Sequence, residues 1–339
     1  MKEILCYNPY SNNDVTEYYI NMIKDAVLEN GFKTVDSKKM PFAHDKSKGI
    51  IVISPLDSIK ARLKGYKYII CWVQGIIPEE SFMRNHNYFR KKILSIFEKL
   101  GLNCSDYLIF VSQKMRDHFK EKYHFSISNY YIMPCFNTEI DDHNFYIKDK
   151  YKNNVFVYAG GLQPWQCFDE SVLLYKKVEN YVQNCFFKVL TRDKEIAEKK
   201  LRNAGVKNYS VSCVPQSKVA DEVRTAKFGF AIRNDDIVNL CATPTKLSTY
   251  IGSGVLPIFS NSLTSFSEQA KNSKYCFSVS VDSLNPDAII FACNSDITAN
   301  NVCDDFHSCF GKYYSRNYHI ERLKSSLDYS FKEQNFNAI

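Results

Sequence analysis

Residues 227–260 read KFGFAIRNDDIVNLCATPTKLSTYIGSGVLPIFS, and the order of blocks in that stretch decides the fold. KFGFAIR and VLPIFS are nearly unbroken apolar runs, the pattern of strands buried on both faces. Between them PTKLSTYIGSG has helical spacing and ends in a Gly-Ser-Gly, so the stretch predicts strand, helix, strand with the strands parallel. Thr243 and Pro244 prepare the helix start, because threonine can cap and proline suits the first helical position. Thr245 and Lys246 then fall in the first turn, where unpaired amides and the positive end of the helix dipole attract phosphate. A plain capped helix with a solvated lysine fits the same local pattern. The spacing of a Walker loop is missing.

The alternation extends in both directions. KEILCYN, GIIVISP, YKYIICWVQ, CSDYLIFVS and YYIMPCF read as strands, interleaved with helices over VTEYYINMIKDAVLENG, 84–100 and 112–123. The stretch 136–154 is polar, without sustained apolar period, and reads as a linker. VFVYAGG, CFFKVLTRD and YSVSCVP restart the series, and YYSRNYHIERLKSSLDYSFKEQ closes it as a long helix. The expected class is α/β: two Rossmann-like units, 1–138 and 150–312, facing across a cleft, with helix 313–335 packing back on the first. Ligands of open parallel sheets sit at the carboxyl ends of the strands.

Composition narrows the class. No window approaches the ~20 apolar residues of a membrane helix, and MKEILCYNPYSNND has too short an apolar run for a signal peptide. The 12 cysteines are scattered singly, without C-x-x-C or a zinc-like Cys/His spacing, so reduced thiols in a cytoplasmic protein are expected. The seven histidines show no metal-ligand spacing either. Net charge is a modest +7. The basic segments 84–100 and 112–125 read either as solvated faces or as a peripheral contact with an anionic membrane. No nucleic-acid signature appears.

A second loop, YAGGLQPWQCFD (158–169), also follows a strand and opens a helix. Gly160 and Gly161 would let a ligand approach the backbone, and Trp165 could stack on a base or sugar. Together, VFVYAGGLQPWQCFDES, FKVLTRD and FAIRNDDIVNLCATPTKLSTYIGSGVLPI resemble the donor half of retaining GT-B glycosyltransferases of the family-4 type, which build bacterial surface polysaccharides. YIICWVQGIIPEES and CSDYLIFVSQKMRDHFKEKY are similar to the acceptor half.

The resemblance implies transfer of a sugar from a UDP- or GDP-linked donor to a growing, lipid-linked surface glycan (capsule, O-antigen or exopolysaccharide), with no metal or other cofactor. By position, Gly160 and Gly161 would line the diphosphate and sugar, Arg233 and Lys246 would neutralise the phosphates, and Thr245 would donate at the helix start. Arg192 would assist, while Asp236 and Asn239 would hold the connecting loop or reach sugar hydroxyls. Thr249 stands where many relatives carry the acidic residue that binds ribose, and Gly161 and Gln166 where many carry Arg and Lys.

On the acceptor side Gln74 stands where relatives place a histidine, and loop 8–18 lacks their Gly-Gly. Glu79 and Glu80 would bind acceptor hydroxyls or place negative charge at a helix start. No general base stands out; in retaining members the departing phosphate is thought to take the acceptor proton. The alternative function is a non-catalytic sugar- or nucleotide-binding scaffold of a glycan assembly complex. The oligomeric state is open.

Overall fold

The chain divides into two compact units, Met1–Cys135 with Ser315–Ile339, and Phe136–Tyr314. The computed structural model describes residues 3–9, 14–43, 49–124, 126–334 and 336. Of the expected loop 8–18, residues 10–13 lie outside the described residues.

The first unit runs β1 (Glu3–Tyr7), α1 (Asp14–Glu29), β2 (Lys33–Ser37), β3 (Gly49–Val52), α2 (Pro55–Leu63), β4 (Tyr68–Val73), α3 (Ile77–Asn85), α4 (Tyr88–Cys104), β5 (Tyr107–Phe110), α5 (Gln113–Tyr123) and β6 (Tyr130–Ile132). Its strands form one parallel sheet in the order β2-β1-β3-β4-β5-β6. All six residues of β4, YIICWV, are buried, as a strand covered on both faces requires. The basic segment 84–100, expected as one helix, is broken. His86 turns left-handed at φ 50° to end α3, and Asn87 caps α4 by accepting from the Arg90 N–H at 2.9 Å. A residue tolerant of the left-handed region followed by a capping amide is a stop and a start in two positions.

The second unit runs β7 (Val155–Ala159), α6 (Phe168–Glu179), β8 (Phe186–Leu190), α7 (Lys194–Asn203), β9 (Tyr209–Ser212), α8 (Gln216–Val223), β10 (Phe228–Ala231), α9 (Ile237–Cys241), α10 (Thr245–Gly252), β11 (Leu256–Ser260), α11 (Thr264–Ala270), β12 (Phe277–Val279), α12 (Asp287–Asn294) and α13 (Ala299–Phe310). Its parallel order is β12-β11-β10-β7-β8-β9. The chain winds outward from β7 through β8 and β9, then returns to β10 and winds the other way. Between β7 and β10 lies a topological switch point, where such sheets open a crevice at their carboxyl ends.

Aromatic packing sets the spacing here. Phe156 of β7 stacks on Phe228 of β10 at 4.7 Å between ring centres, and each fully buried phenylalanine contributes roughly 1.5–3 kcal/mol. A Cβ on Gly229 would lie 2.8 Å from the Tyr250 ring. The glycine therefore makes room for α10 to lie on β10, where the Tyr250 hydroxyl donates to the Phe230 carbonyl at 3.1 Å.

Segment 136–154 is not a free linker. Phe136, Phe145, Lys150 and Tyr151 are buried within the second unit. The Tyr151 hydroxyl donates to the Gly254 carbonyl at 2.8 Å, and the Lys150 ammonium donates to the carbonyls of Asn144 and Ser253. Scattered aromatics in a polar stretch give no period, yet Phe145 and Tyr151 pack beside Gly254, just past α10, and Phe136 packs against Tyr314.

After α13 the chain returns to the first unit as α14 (Arg316–Glu333). Tyr68 and Tyr107 share hydrogen bonds with Ser330 and Ser326 at 2.6 and 2.5 Å, and Asn30 donates to the Lys324 carbonyl at 3.0 Å.

Candidate functional site

A cavity of about 640 Å³ opens at the carboxyl edge of the second unit's sheet. Its walls are the segments that leave the strands around the switch point, together with the start of α10. Gly160 and Gly161 come after β7, Thr191 to Asp193 after β8, Cys213 and Val214 after β9, and Arg233 after β10; Thr245, Lys246, Thr249 and Tyr250 belong to α10.

Gly160 has φ 149°, a conformation side chains avoid, and a Cβ there would sit 3.2 Å from the Lys246 Nζ. The glycine lets that ammonium lie against the backbone. Lys246 also lies 4.5 Å over the Tyr158 ring and donates to Gln166 Oε1 at 3.2 Å. Gln166 thus supplies an acceptor that aims Lys246. The start of α10 departs from expectation in one detail: Pro244 is the N-cap, without a side-chain cap bond, and Thr245 is the first helical residue.

Arg233 is only 5% exposed. Its backbone is tied to Ser260, whose hydroxyl accepts from the Arg233 N–H at 2.7 Å, and to Ser262, which donates to its carbonyl at 2.9 Å. The guanidinium makes one long bond, 3.4 Å, to the Ile232 carbonyl. Neither Arg233, Lys246 nor Arg192 forms an ion pair among the described residues. The lining holds these three cations against one carboxylate, Asp193. Burial pushes the Lys246 ammonium well below its ordinary value, and the neighbouring Arg233 charge pushes it further; burial lowers Arg233 as well. An anion in this cavity would relieve both.

Thr249 lines the cavity, its hydroxyl 3.4 Å from Asn137 Oδ1 and 3.3 Å from the Thr245 carbonyl. Asn137, which sequence reasoning left at the end of the first unit, accepts from Ser248 at 3.1 Å and lines the same cavity. The only signal for Asn137 was its place directly after the last strand of the first unit.

Other expected donor residues stand elsewhere. Trp165 sits in the 3-10 turn Pro164–Gln166 and does not line the cavity. Asp236 caps α9, accepting from the Asn239 N–H at 2.9 Å and from its side-chain amide at 2.7 Å. Asn239 also donates to the Asn234 carbonyl at 3.0 Å. These two hold the loop and do not line the cavity.

In the first unit Gln74 is exposed just after β4. Glu79 is buried among basic side chains. It is 6% exposed, ion-paired to Lys122 at 2.9 Å and within 3.7 Å of Lys91 and 3.9 Å of His118. Burial alone would raise its carboxyl; His118 and Lys122 outweigh burial and hold it at about 2. Glu80 accepts from the Ile76 N–H at 3.2 Å, closing the start of α3.

Asp142, Cys303 and His307 also come together, although no sequence spacing joins them: His307 Nε2 is 2.6 Å from Asp142 Oδ1 and Cys303 Sγ 3.7 Å from it. None lines the cavity, and the His–Asp contact accounts for their meeting.

No protein-family model matches the sequence, and no curated protein matches it. Solved structures do resemble the chain. Anabaena Alr3699/HepE, in complex with UDP, matches with a TM-score of 0.68 at 9% identity, over 97% of this chain and 100% of that one. Sucrose-phosphate synthase from Thermosynechococcus elongatus matches with a TM-score of 0.68 at 9% identity, over 98% and 100%. A TarM variant from S. aureus, in complex with fondaparinux, alpha-GlcNAc-glycerol and UDP, matches with a TM-score of 0.61 at 10% identity, over 84% of this chain and 56% of that one. The chain thus spans about half the length of TarM. At such identities the likeness is one of fold, and the fold is GT-B: two six-stranded parallel sheets, each with its helices.

Proposed function

We propose that the protein is a glycosyltransferase that takes its sugar from a nucleoside diphosphate sugar bound in the cavity of the second unit. The observation that carries this reading is the uncompensated charge of Arg233 and Lys246 beside Gly160 at the switch point. Breaking the sugar–phosphate bond builds negative charge on the departing diphosphate, and fixed cations already in place stabilise that charge in the transition state. Lys246 and Arg233 hold the phosphates, Thr245 donates from the first turn of α10, and Arg192 reaches in from the end of β8. The donor is a UDP-sugar, in keeping with the UDP bound to HepE and to TarM. Asn137 and Thr249, both in the cavity lining, hold the ribose in this reading.

The reaction retains anomeric configuration and needs no metal, the departing phosphate taking the acceptor proton. The acceptor is a lipid-linked surface glycan, met at the inner face of the cell membrane with Gln74 on the acceptor side. Calorimetry with UDP and GDP tests the donor site, and turnover of UDP-sugars against glycan acceptors tests the reaction. Binding of neither nucleotide at millimolar concentration sinks the proposal. Tight UDP binding with no hydrolysis or transfer across the panel identifies a scaffold instead.

A further inference from the structure

Helix α4 turns an apolar face to solvent. Phe89, Ile93, Ile96, Phe97 and Leu100 recur at i, i+4, i+7, i+8 and i+11, which is a single stripe of a helix. Phe89 is 74% exposed, Ile96 61% and Leu100 48%, and Tyr88 extends the stripe at its start. Single exposed apolar side chains need no account, but a contiguous row of five does.

The opposite face shows why the stripe cannot turn inward. A Cβ on Gly101 would lie 2.0 Å from the Pro55 carbonyl oxygen, so α4 rests directly on the start of α2. Glu98, 2% exposed, accepts from Lys122 at 3.0 Å and from the Tyr123 hydroxyl at 2.6 Å, both on α5. The helix is held on its inner side by two neighbours, and its outer side is fixed in presentation.

The borders of the stripe are basic. Lys92 and Lys99 flank one edge and Arg90 the other; all three are exposed and form no ion pair among the described residues. The exposed residues of α4 include no carboxylate. A second copy of this face would set cation against cation, whereas an anionic bilayer offers phosphates at the borders and acyl chains at the centre. No helix among the described residues is long and apolar enough to cross a membrane.

We propose that α4 lies flat in the interface of an anionic bilayer, inserting Phe89, Ile93, Ile96, Phe97 and Leu100 between headgroups that Lys92, Lys99 and Arg90 neutralise. This rests on the proposed transfer to a lipid-linked acceptor for its purpose, not for its physics.

Co-sedimentation of the full chain with vesicles tests it, comparing phosphatidylglycerol mixed into phosphatidylcholine with phosphatidylcholine alone. The native protein is expected on the anionic vesicles. Phe89→Ser with Ile96→Ser weakens that binding about a hundredfold, since each side chain is nearly the full size of a buried apolar group. Lys92→Gln with Lys99→Gln weakens it roughly 25-fold, about fivefold per lysine. Equal sedimentation of native protein and the Ser variants, or no preference for anionic vesicles, overturns the proposal. So does a dimer in light scattering that the Ser variants abolish, which would assign the stripe to a second copy. UDP binding in the same samples separates the two readings. A protein that binds UDP and ignores vesicles sinks only this inference, and one that binds vesicles and no nucleotide sinks only the donor site.

Discussion

Two clusters of buried charge, one in each unit, have opposite bookkeeping. Around Glu79 every charge has its answer: Lys122 bridges Glu79 and Glu98 at 2.9 and 3.0 Å, and Lys91 and His118 stand at the rim. Around Lys246 cations are in excess: Arg192, Arg233 and Lys246 line a cavity with one carboxylate, Asp193, and Arg233 and Lys246 form no ion pair among the described residues, although the Asp236 charge acts on Arg233. Burying a charge is costly in either place. A balanced cluster can be kept for structure alone, but an unbalanced one stores repulsion that only a bound anion removes. The contrast separates a structural glutamate from candidate catalytic cations, although both looked alike as charged residues after a strand.

The largest effect should come from removing the excess cations. Lys246→Ala and Arg233→Ala are each expected to cut transfer from a UDP-sugar by about 10²–10³-fold, with the far-UV spectrum unchanged. Native rates in both variants would dissolve the contrast. On the balanced side, Glu79→Gln leaves Lys122 with Glu98 alone and should lower stability by about 3 kcal/mol, read by urea unfolding, while UDP affinity stays within about twofold. The pH dependence has a defined sign. The Glu79 carboxyl sits at about 2 against an ordinary 4.5, so its stabilisation is fully present above the ordinary value and is lost as pH falls from there toward 2. In Glu79→Gln that part of the acid dependence disappears.

Gly160→Ala tests the crowding at Lys246. A side chain at φ 149° and 3.2 Å from the ammonium should cost roughly 1–3 kcal/mol and weaken UDP binding about tenfold. An unchanged melting temperature and affinity would show that Lys246 need not lie against the backbone. A subtler consequence concerns protons. Burial and the Arg233 charge depress the Lys246 ammonium, so this group adds stability as pH rises from that depressed value toward the ordinary one. A bound diphosphate would favour the charged form, so binding is expected to take up protons between the depressed value and the ordinary one. Calorimetry of UDP binding in buffers of different ionisation heat reads that uptake. The smallest effect is expected at Trp165, which does not line the cavity: Trp165→Ala should shift UDP affinity less than about twofold, and a tenfold loss would place the indole on the ligand.

The parallel sheets were legible because fully buried strands such as YIICWV and KFGFAIR leave unbroken apolar runs. Edge strands were not. KTVDS of β2 is largely solvent-facing, and β12 is three residues long; neither carries a period. Helices α2, α9, α11, α12 and α13 are not read from the sequence either; α9 and α11 are only five and seven residues long, and the apolar run of α12 fits a strand as well as a helix. At the cavity, residues that a strand end delivers (Gly160, Arg192, Arg233) could be read in order along the chain, as could Lys246. Asn137 could not, because its place at the cavity depends on α10 returning beside it from more than a hundred residues away. Trp165 is the opposite case: a conspicuous side chain in the right loop that does not line the cavity.

Helix α14 makes the second unit an insertion within the first. The sheet that begins at Glu3 has all its strands by Ile132, yet it is covered by a helix translated only after the whole of Phe136–Tyr314, through Tyr68 with Ser330 and Tyr107 with Ser326. On the ribosome, the segment Phe136–Tyr314 has all its own strands in hand before the earlier-made half can close. Folding order therefore runs against chain order. An excised 136–314 fragment should fold alone, while 1–135 without its late-arriving helix should linger open and become prey to proteases.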